Sequence, residues 1–276
     1  MTFKTPLKWV GSKARLMPQL RQHLPEGKRL VEPFAGSCAV MMNTEYDEYL
    51  IADVNADLIN LYQQAASAPE QLIDWAYVWF AEGNAEANYY ESRATFNSDD
   101  SLSPLERAAI FLYLNRHGYR GLCRYNKCGE FNVPYGNYKK PYFPKDEILA
   151  FAEKAKRATF LCASYAETLD LVRDGDVVYC DPPYLTESEN FTAYHSSGFN
   201  HLDQGRLSRR LRKLATKGVP VVASNADLES VHYLYAGFEA VKVNASRSVG
   251  AAAASQKTAA ELILKWPSPV TSEASA

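Results

Sequence analysis

The sequence predicts an α/β fold: an open sheet whose strand ends carry the chemistry, interrupted by a mainly helical insert. Three observations carry this expectation. Asp176 to Cys180 is a β-branched and aromatic run that reads as a buried strand, and it empties into Asp181-Pro182-Pro183-Tyr184. Leu30 and Val31 enter as a strand, Pro33 ends it, Gly36 turns the chain and Cys38 to Asn43 starts a helix. Between about Pro69 and Ile148 strand character gives way to apolar helices.

In chain order, Gly11 and Ser12 form a turn flanked by Lys8, Trp9 and Lys13, and Arg15 to His23 is expected to be a short helix. Gly11 and Lys13 beside a helix start can meet a carboxylate or a phosphate; solvated lysines on a turn are the plainer reading. Glu32 ends the first strand, where it can face an ammonium group. Tyr49 to Ala52 is the next strand, and it ends in Asp53, where doubly wound folds hold ribose hydroxyls. Asp53 can equally cap the helix that carries Leu58, Ile59, Leu61 and Tyr62. Together these groups suit a nucleoside with an amino-acid tail. The turn is no GxGxxG, so a pyrophosphate cradle is not expected.

Pro69-Glu70 opens a helix with Leu72, Trp75 and Trp79, and Ser103-Pro104-Leu105-Glu106 has the form of a capping box. From Arg116 to Lys145 seven basic residues face one acid, Glu130, and seven aromatics interleave with them. Lys and Arg neutralise phosphates, Arg and Asn read base edges, and aromatics stack on bases or wedge between them. That mixture favours nucleic-acid contact over a merely solvated basic face. Cys123, Cys128 and His117 lack zinc spacing, and no metal is expected.

Phe160 to Tyr165, Val177 to Cys180 and Val219 to Ala223 read as strands, and Val241 to Ala245 pairs with Glu261 to Lys265. Leu185 to Phe199 reads as a flap, Leu207, Leu211 and Leu214 share a helix face, and the segment after Pro267 reads as a disordered tail.

At the fourth strand's exit, the two prolines remove backbone donors and leave carbonyls pointing outward. Asp181 and the Pro182 carbonyl are then two acceptors beside the flat face of Tyr184. That set suits an amino group on a planar ring: the acceptors take its hydrogens and the ring stacks. A proline-stiffened strand exit with a capping Asp fits the same four residues.

Composition sets bounds on the whole. The 276 residues suffice for one large domain with an insertion, and a net charge of −2 means that any basic surface must be local. Five cysteines without paired spacing, no signal peptide and no apolar run of membrane length lead us to expect reduced thiols in a cytoplasmic protein.

Taken in order, Leu7 to Lys13, Val31 to Gly36, Leu112 to Arg116, Gly121 to Asn126, Gly129 to Pro134 and Asp181 to Tyr184 resemble the Dam-type adenine-N6 DNA methyltransferases, of the alpha group of amino-methyltransferases, from about residue 6 to residue 265. The resemblance implies a Rossmann-like S-adenosylmethionine-dependent methyltransferase sheet (1–56 and 145–270) with an inserted, mainly helical DNA-recognition lobe (57–144) and a disordered tail (271–276). It implies S-adenosylmethionine as methyl donor and double-stranded DNA containing GATC as partner, with the adenine flipped out. It implies further a monomer in a bacterial cytoplasm, chromosomal or phage-encoded. Carried over by position, Trp9, Gly11, Lys13, Glu32, Phe34, Gly36, Asp53, Ser164, Tyr165 and Asp181 line the cofactor site. Asp181, Pro182, Pro183 and Tyr184 form the catalytic loop. Lys8, Leu122, Arg124 and Pro134 read bases, Tyr119 inserts into the stack, and Arg120, Tyr138 and Lys139 complete the DNA-binding set.

There are departures from the pattern. Ser12 replaces a Gly, Arg120 replaces an Asn beside the intercalating Tyr, and Asn137 replaces a basic residue. An alanine run occupies the usually basic loop from Gly250 to Lys257, so fewer phosphate contacts are expected there. Two rivals fit parts of the pattern: a methyltransferase of protein amide nitrogen or RNA, since Pro-Pro-Tyr loops serve those substrates too, and a catalytically retired DNA-binding module.

Overall fold

The computed structural model describes residues 2–185, 199–246 and 258–266. Its centre is a seven-stranded sheet of β1 (Arg29–Glu32), β2 (Glu48–Asp53), β3 (Ala158–Cys162), β4 (Asp176–Cys180), β5 (Val221–Ala226), β6 (Glu239–Ser246) and β7 (Thr258–Lys265), in the order β3-β2-β1-β4-β5-β7-β6. The first five are mutually parallel and β7 runs antiparallel to both β5 and β6. Residues 186–198 of the expected flap, the alanine-rich loop and the tail after Trp266 lie outside the described residues.

Alternation explains why the sheet is covered on both faces. Leu30, Ile51, Val177 and Tyr179 belong to one buried cluster, and their neighbours Val31, Leu50, Val178 and Cys180 to another. Ten helices connect and cover the strands among the described residues. They are α1 (Met17–Leu20), α2 (Ala39–Met42), α3 (Ala56–Ser67), α4 (Pro69–Ala81), α5 (Glu86–Ser98), α6 (Pro104–His117), α7 (Lys145–Ala155), α8 (Tyr165–Asp170), α9 (His201–Ala215) and α10 (Glu229–Leu234). The first cluster continues without a break from Ile51 through Leu58 and Tyr62 to Phe111 and Phe131, so the helices α4 to α6 share their core with the sheet. At the amino ends of the two central strands, Arg29 grips Asp176 through two bonds of 2.9 and 2.6 Å, stapling the start of β1 to the start of β4.

Local chemistry corrects several boundaries. The helix expected over residues 15–23 shrinks to α1, because Pro18 has no N–H and is tolerated only in a first turn. Ser164 and Tyr165 leave the third strand: Ser164 forms a capping box with Glu167 and starts α8. Asn55, not Asp53, caps α3, accepting from the Leu58 N–H at 3.1 Å. The capping box at Ser103 opens α6 as its sequence predicts. Of the residues named on this helix, Leu72 is buried with Ile73 and Ala76, while Trp75 is exposed.

Candidate active site

The chain reverses its winding between β1 and β4, so their carboxyl ends flank a crevice. Glu32 closes β1 and Asp181 follows β4. Both carboxylates are withdrawn from water: the Glu32 carboxyl is pushed up to about 8, first by burial and also by the negative charge of Asp181, against the pull of the Met41 N–H. Burial raises Asp181 as well, and Lys13 opposes that rise. Among the described residues, Glu32 Oε1 and Asp181 Oδ1 are buried and have no hydrogen-bond partner. A native fold leaves such atoms unpaired at a cost, unless something else supplies donors.

The other oxygen of Asp181 is taken. Lys13 Nζ sits 2.7 Å from Asp181 Oδ2, donates to the Gly11 carbonyl at 3.0 Å and lies 4.8 Å from the centre of the Tyr184 ring. The Tyr184 hydroxyl donates to Glu261 Oε2 at 2.9 Å, and that carboxylate is 4.0 Å from Lys13 Nζ. Lys13, expected in the cofactor set, thus meets the Asp181 carboxylate directly. Nothing in the sequence reading pointed to Glu261. Its one signal was an acid inside the apolar run Ala260-Glu261-Leu262-Ile263-Leu264.

On the β1 side, Gly36 has φ +46, and a Cβ there would come within 3.0 Å of Trp9 Nε1. Its N–H donates to Asp53 Oδ2 at 3.1 Å, and the Asn55 N–H donates to Asp53 Oδ1 at the same distance. The Gly36 turn and the β2 end are therefore one unit. Phe34 stacks on Tyr165 with ring centres 5.6 Å apart, and Phe199 meets both edge-on. Trp9, Gly11, Lys13, Glu32, Phe34, Gly36, Asp53, Ser164 and Tyr165 thus lie on segments that border the β1, β2 and β4 ends.

Cys180 is fully buried at the end of β4 and burial pushes its thiol up. It has none of the surroundings that make a thiolate nucleophile.

The segment 8–13 also reaches the helical insert. The Lys8 N–H donates to Asn115 Oδ1 at 2.9 Å while Asn115 Nδ2 donates back to the Lys8 carbonyl at 2.8 Å. Lys8 Nζ donates to the Arg116 carbonyl and stands 3.6 Å over the Tyr138 ring. The Tyr138 hydroxyl accepts from the Arg120 N–H at 2.8 Å, and the Arg120 guanidinium lies over Tyr119, which is 43% exposed. Leu122 is half-buried; Pro134 and Lys139 are exposed, and the Pro134 carbonyl accepts from the Tyr119 N–H. Arg124 is exposed, with its guanidinium clipped to Asn132 through Oδ1 at 2.8 Å and the carbonyl at 3.0 Å.

Here the insert separates into two populations. Arg116 is not on a basic face: it is buried, bonds the Pro6 carbonyl and is pushed down to about 10 by burial. Phe131 is core, Tyr125 donates to Asp57, and Tyr135 donates to the Asn84 carbonyl. The Asn126 amide closes its own turn, accepting from the Cys128 and Glu130 N–H groups. Of the residues expected to meet DNA, Tyr119, Arg120, Arg124, Pro134 and Lys139 are exposed, while Lys8 and Tyr138 are half-buried against one another.

Comparisons with known proteins identify the family. Residues 9–249 match the family model of the D12 class N6 adenine-specific DNA methyltransferases. The chain is 53% identical over 259 residues to the Retron Ec67 DNA adenine methylase of Escherichia coli, covering 94% of this chain and 90% of that one. It is 44% identical over 273 residues to the DNA adenine methylase of Vibrio cholerae, covering 97% and 98%, and equally identical to that of Escherichia coli strain K12, covering 97% of each. A match over most of the chain, with the Asp-Pro-Pro-Tyr loop intact at the end of β4, makes this protein a member of the D12 class of N6 adenine-specific DNA methyltransferases.

Proposed function

We propose that this DNA adenine-N6 methyltransferase takes its methyl group from S-adenosylmethionine and acts on GATC in double-stranded DNA, with the target adenine turned out of the stack. The observation that carries the reading is Asp181 Oδ1: a buried, unpartnered acceptor beside Tyr184, on a carboxylate whose second oxygen is already held by Lys13.

The residues at the β1 and β2 ends fit the cofactor. The unpartnered Glu32 Oε1 suits its ammonium group, and the Asp53 carboxylate at the β2 end suits ribose hydroxyls. Phe34 and Tyr165 offer flat faces for its adenine. When bound, S-adenosylmethionine supplies a methyl group on an electrophilic sulfonium.

The chain's own residues supply position and charge. Flipping the base costs a few kcal/mol, and stacking on Tyr184 offsets part of it. Asp181 Oδ1 and the Pro182 carbonyl accept the two amine hydrogens, which aims the nitrogen lone pair away from them. As positive charge develops on that nitrogen, the Asp181 carboxylate faces it from a buried position, where such an interaction is strongest. Lys13 opposes the rise that burial gives Asp181 and so favours its charged form. Tyr184 is held at its far end by Glu261, which keeps the ring beside Asp181 when the base arrives. In this reading Lys8, reaching the insert from the N-terminal segment, and Leu122, Arg124 and Pro134 on the insert read bases, Tyr119 enters the stack, and Arg120, Tyr138 and Lys139 take the flanking contacts. Residues 57–144 are the recognition lobe in this reading, and 1–56 with 145–270 the catalytic part.

The test is tritiated methyl transfer from S-adenosylmethionine to two duplexes that differ only in GATC against GTTC. Transfer to the first alone is expected. Equal transfer to both would discard GATC, and transfer to neither by folded protein would discard the substrate.

A further inference from the structure

The acceptor loop is held by a group outside the crevice. Pro182 and Pro183 have no N–H, so the loop offers few donors for its own carbonyls. The Pro183 carbonyl receives its hydrogen from Gln204 Nε2, 2.8 Å away on α9. Gln204 is fully buried on a helix face that otherwise presents Leu207 and Leu211 to the core. A polar side chain there costs stability unless every polar atom is paired.

Those atoms are paired in one direction only. Gln204 Oε1 accepts from Asn225 Nδ2 at 3.2 Å and from the Tyr235 hydroxyl at 3.1 Å. Asn225 is itself oriented, because its Oδ1 accepts from the Ala226 N–H at 2.9 Å. Turning the Gln204 amide over would set one NH2 group against another and an oxygen against the Pro183 carbonyl. β5 and the end of α10 thereby dictate that Gln204 points a donor at the loop.

We propose that Gln204 is a positioning residue for methyl transfer: its amide, oriented by Asn225 and Tyr235, fixes the Pro183 carbonyl and so the placement of the Pro182 carbonyl and the Tyr184 ring around the target amine. This rests on the reading that residues 181–184 receive the adenine. The Glu261 contact fixes the Tyr184 hydroxyl, and Gln204 fixes the backbone one residue before that ring.

Gln204→Met keeps length and apolar bulk but removes the donor. The experiment measures the single-turnover rate of methyl transfer to a GATC duplex, the duplex Kd and the far-ultraviolet circular dichroism of the full chain. We expect folded Gln204→Met to lose at least about tenfold in rate while its duplex Kd stays within about threefold. A folded variant that transfers within about threefold of the parent overturns the inference. Should Gln204→Met not fold, Gln204→Glu decides. A protonated carboxyl donates to the Pro183 carbonyl and an ionised one cannot, and burial places that titration in the accessible range. The rate relative to the parent should then fall as pH rises from about 6 to about 9. The titratable groups around that network are Tyr235, the Cys180 and Tyr165 that act on it, and Asp181 two residues before Pro183; all are shared with the parent, so the ratio isolates position 204. A flat ratio, or failure of both variants to fold, withdraws the positioning role. Asp181→Ala run in parallel separates the two claims. If it keeps the parent rate, the assignment of the loop fails; if it is inactive while Gln204→Met is not, only the role of Gln204 fails.

Discussion

Lys13 Nζ stands 2.7 Å from Asp181 Oδ2, joining the start of the chain to the loop after β4. Burial alone would favour the protonated acid; Lys13 pulls the other way by charge and by hydrogen bond. Removing Lys13 therefore raises Asp181 further, and the carboxylate exists only at higher pH. Lys13→Met is expected to shift the acid limb of the single-turnover pH–rate profile to higher pH. An unmoved limb would mean that Lys13 does not set the charge of Asp181.

Glu32 gives a pH dependence of opposite use. Its folded value of about 8 lies above the ordinary 4.5, so the unliganded protein binds a proton there that the unfolded chain releases. Its contribution to stability is present below about 4.5 and is lost as pH rises through 8. Glu32→Gln should remove that loss, seen as a smaller fall in Tm between about pH 5 and about pH 8 than in the parent. The same carboxylate must ionise to meet an ammonium group. Affinity for S-adenosylmethionine, measured by calorimetry, should weaken as pH falls below 8, and binding in a weakly alkaline buffer should release protons.

Gly121 tests how the insert positions Lys8. With φ +66, an added Cβ would lie 2.2 Å from Lys8 Cβ. Gly121→Ala should cost about 1 kcal/mol or more in stability and weaken discrimination at one base pair by roughly 1–3 kcal/mol. Cofactor affinity should stay unchanged. Competition between GATC duplexes and single-substitution duplexes measures the first effect on recognition.

Arg124→Ala should relax preference at one guanine by roughly 1–3 kcal/mol. Asn132→Ala removes one of the two bonds that clip the guanidinium, so it should produce the same relaxation in smaller degree. A uniform loss on all duplexes would instead make Arg124 a phosphate contact.

Fold and site were legible in the sequence to different depths. Alternating apolar strands and the capping box at Ser103 speak through local chemistry, and Asp181-Pro182-Pro183-Tyr184 is contiguous. Glu261 and Gln204 act across 77 and 21 residues, on Tyr184 and Pro183, and only folding reveals their partners. Each left one trace, a polar residue inside an apolar pattern. In the insert, composition could not separate the inward Arg116, Tyr125 and Phe131 from the outward Tyr119 and Arg124, since one residue type serves both packing and recognition. The helix α5 was missed because its buried residues, Tyr89, Ser92 and Phe96, make too sparse an apolar period.

The measurement closest to the central claim is single-turnover methylation of a GATC duplex by Asp181→Ala, with duplex affinity measured on the same protein. The account predicts a loss of about a thousandfold or more in rate, with duplex Kd within about threefold of the parent. A rate within about tenfold of the parent would move the chemistry away from Asp181, whatever the affinity.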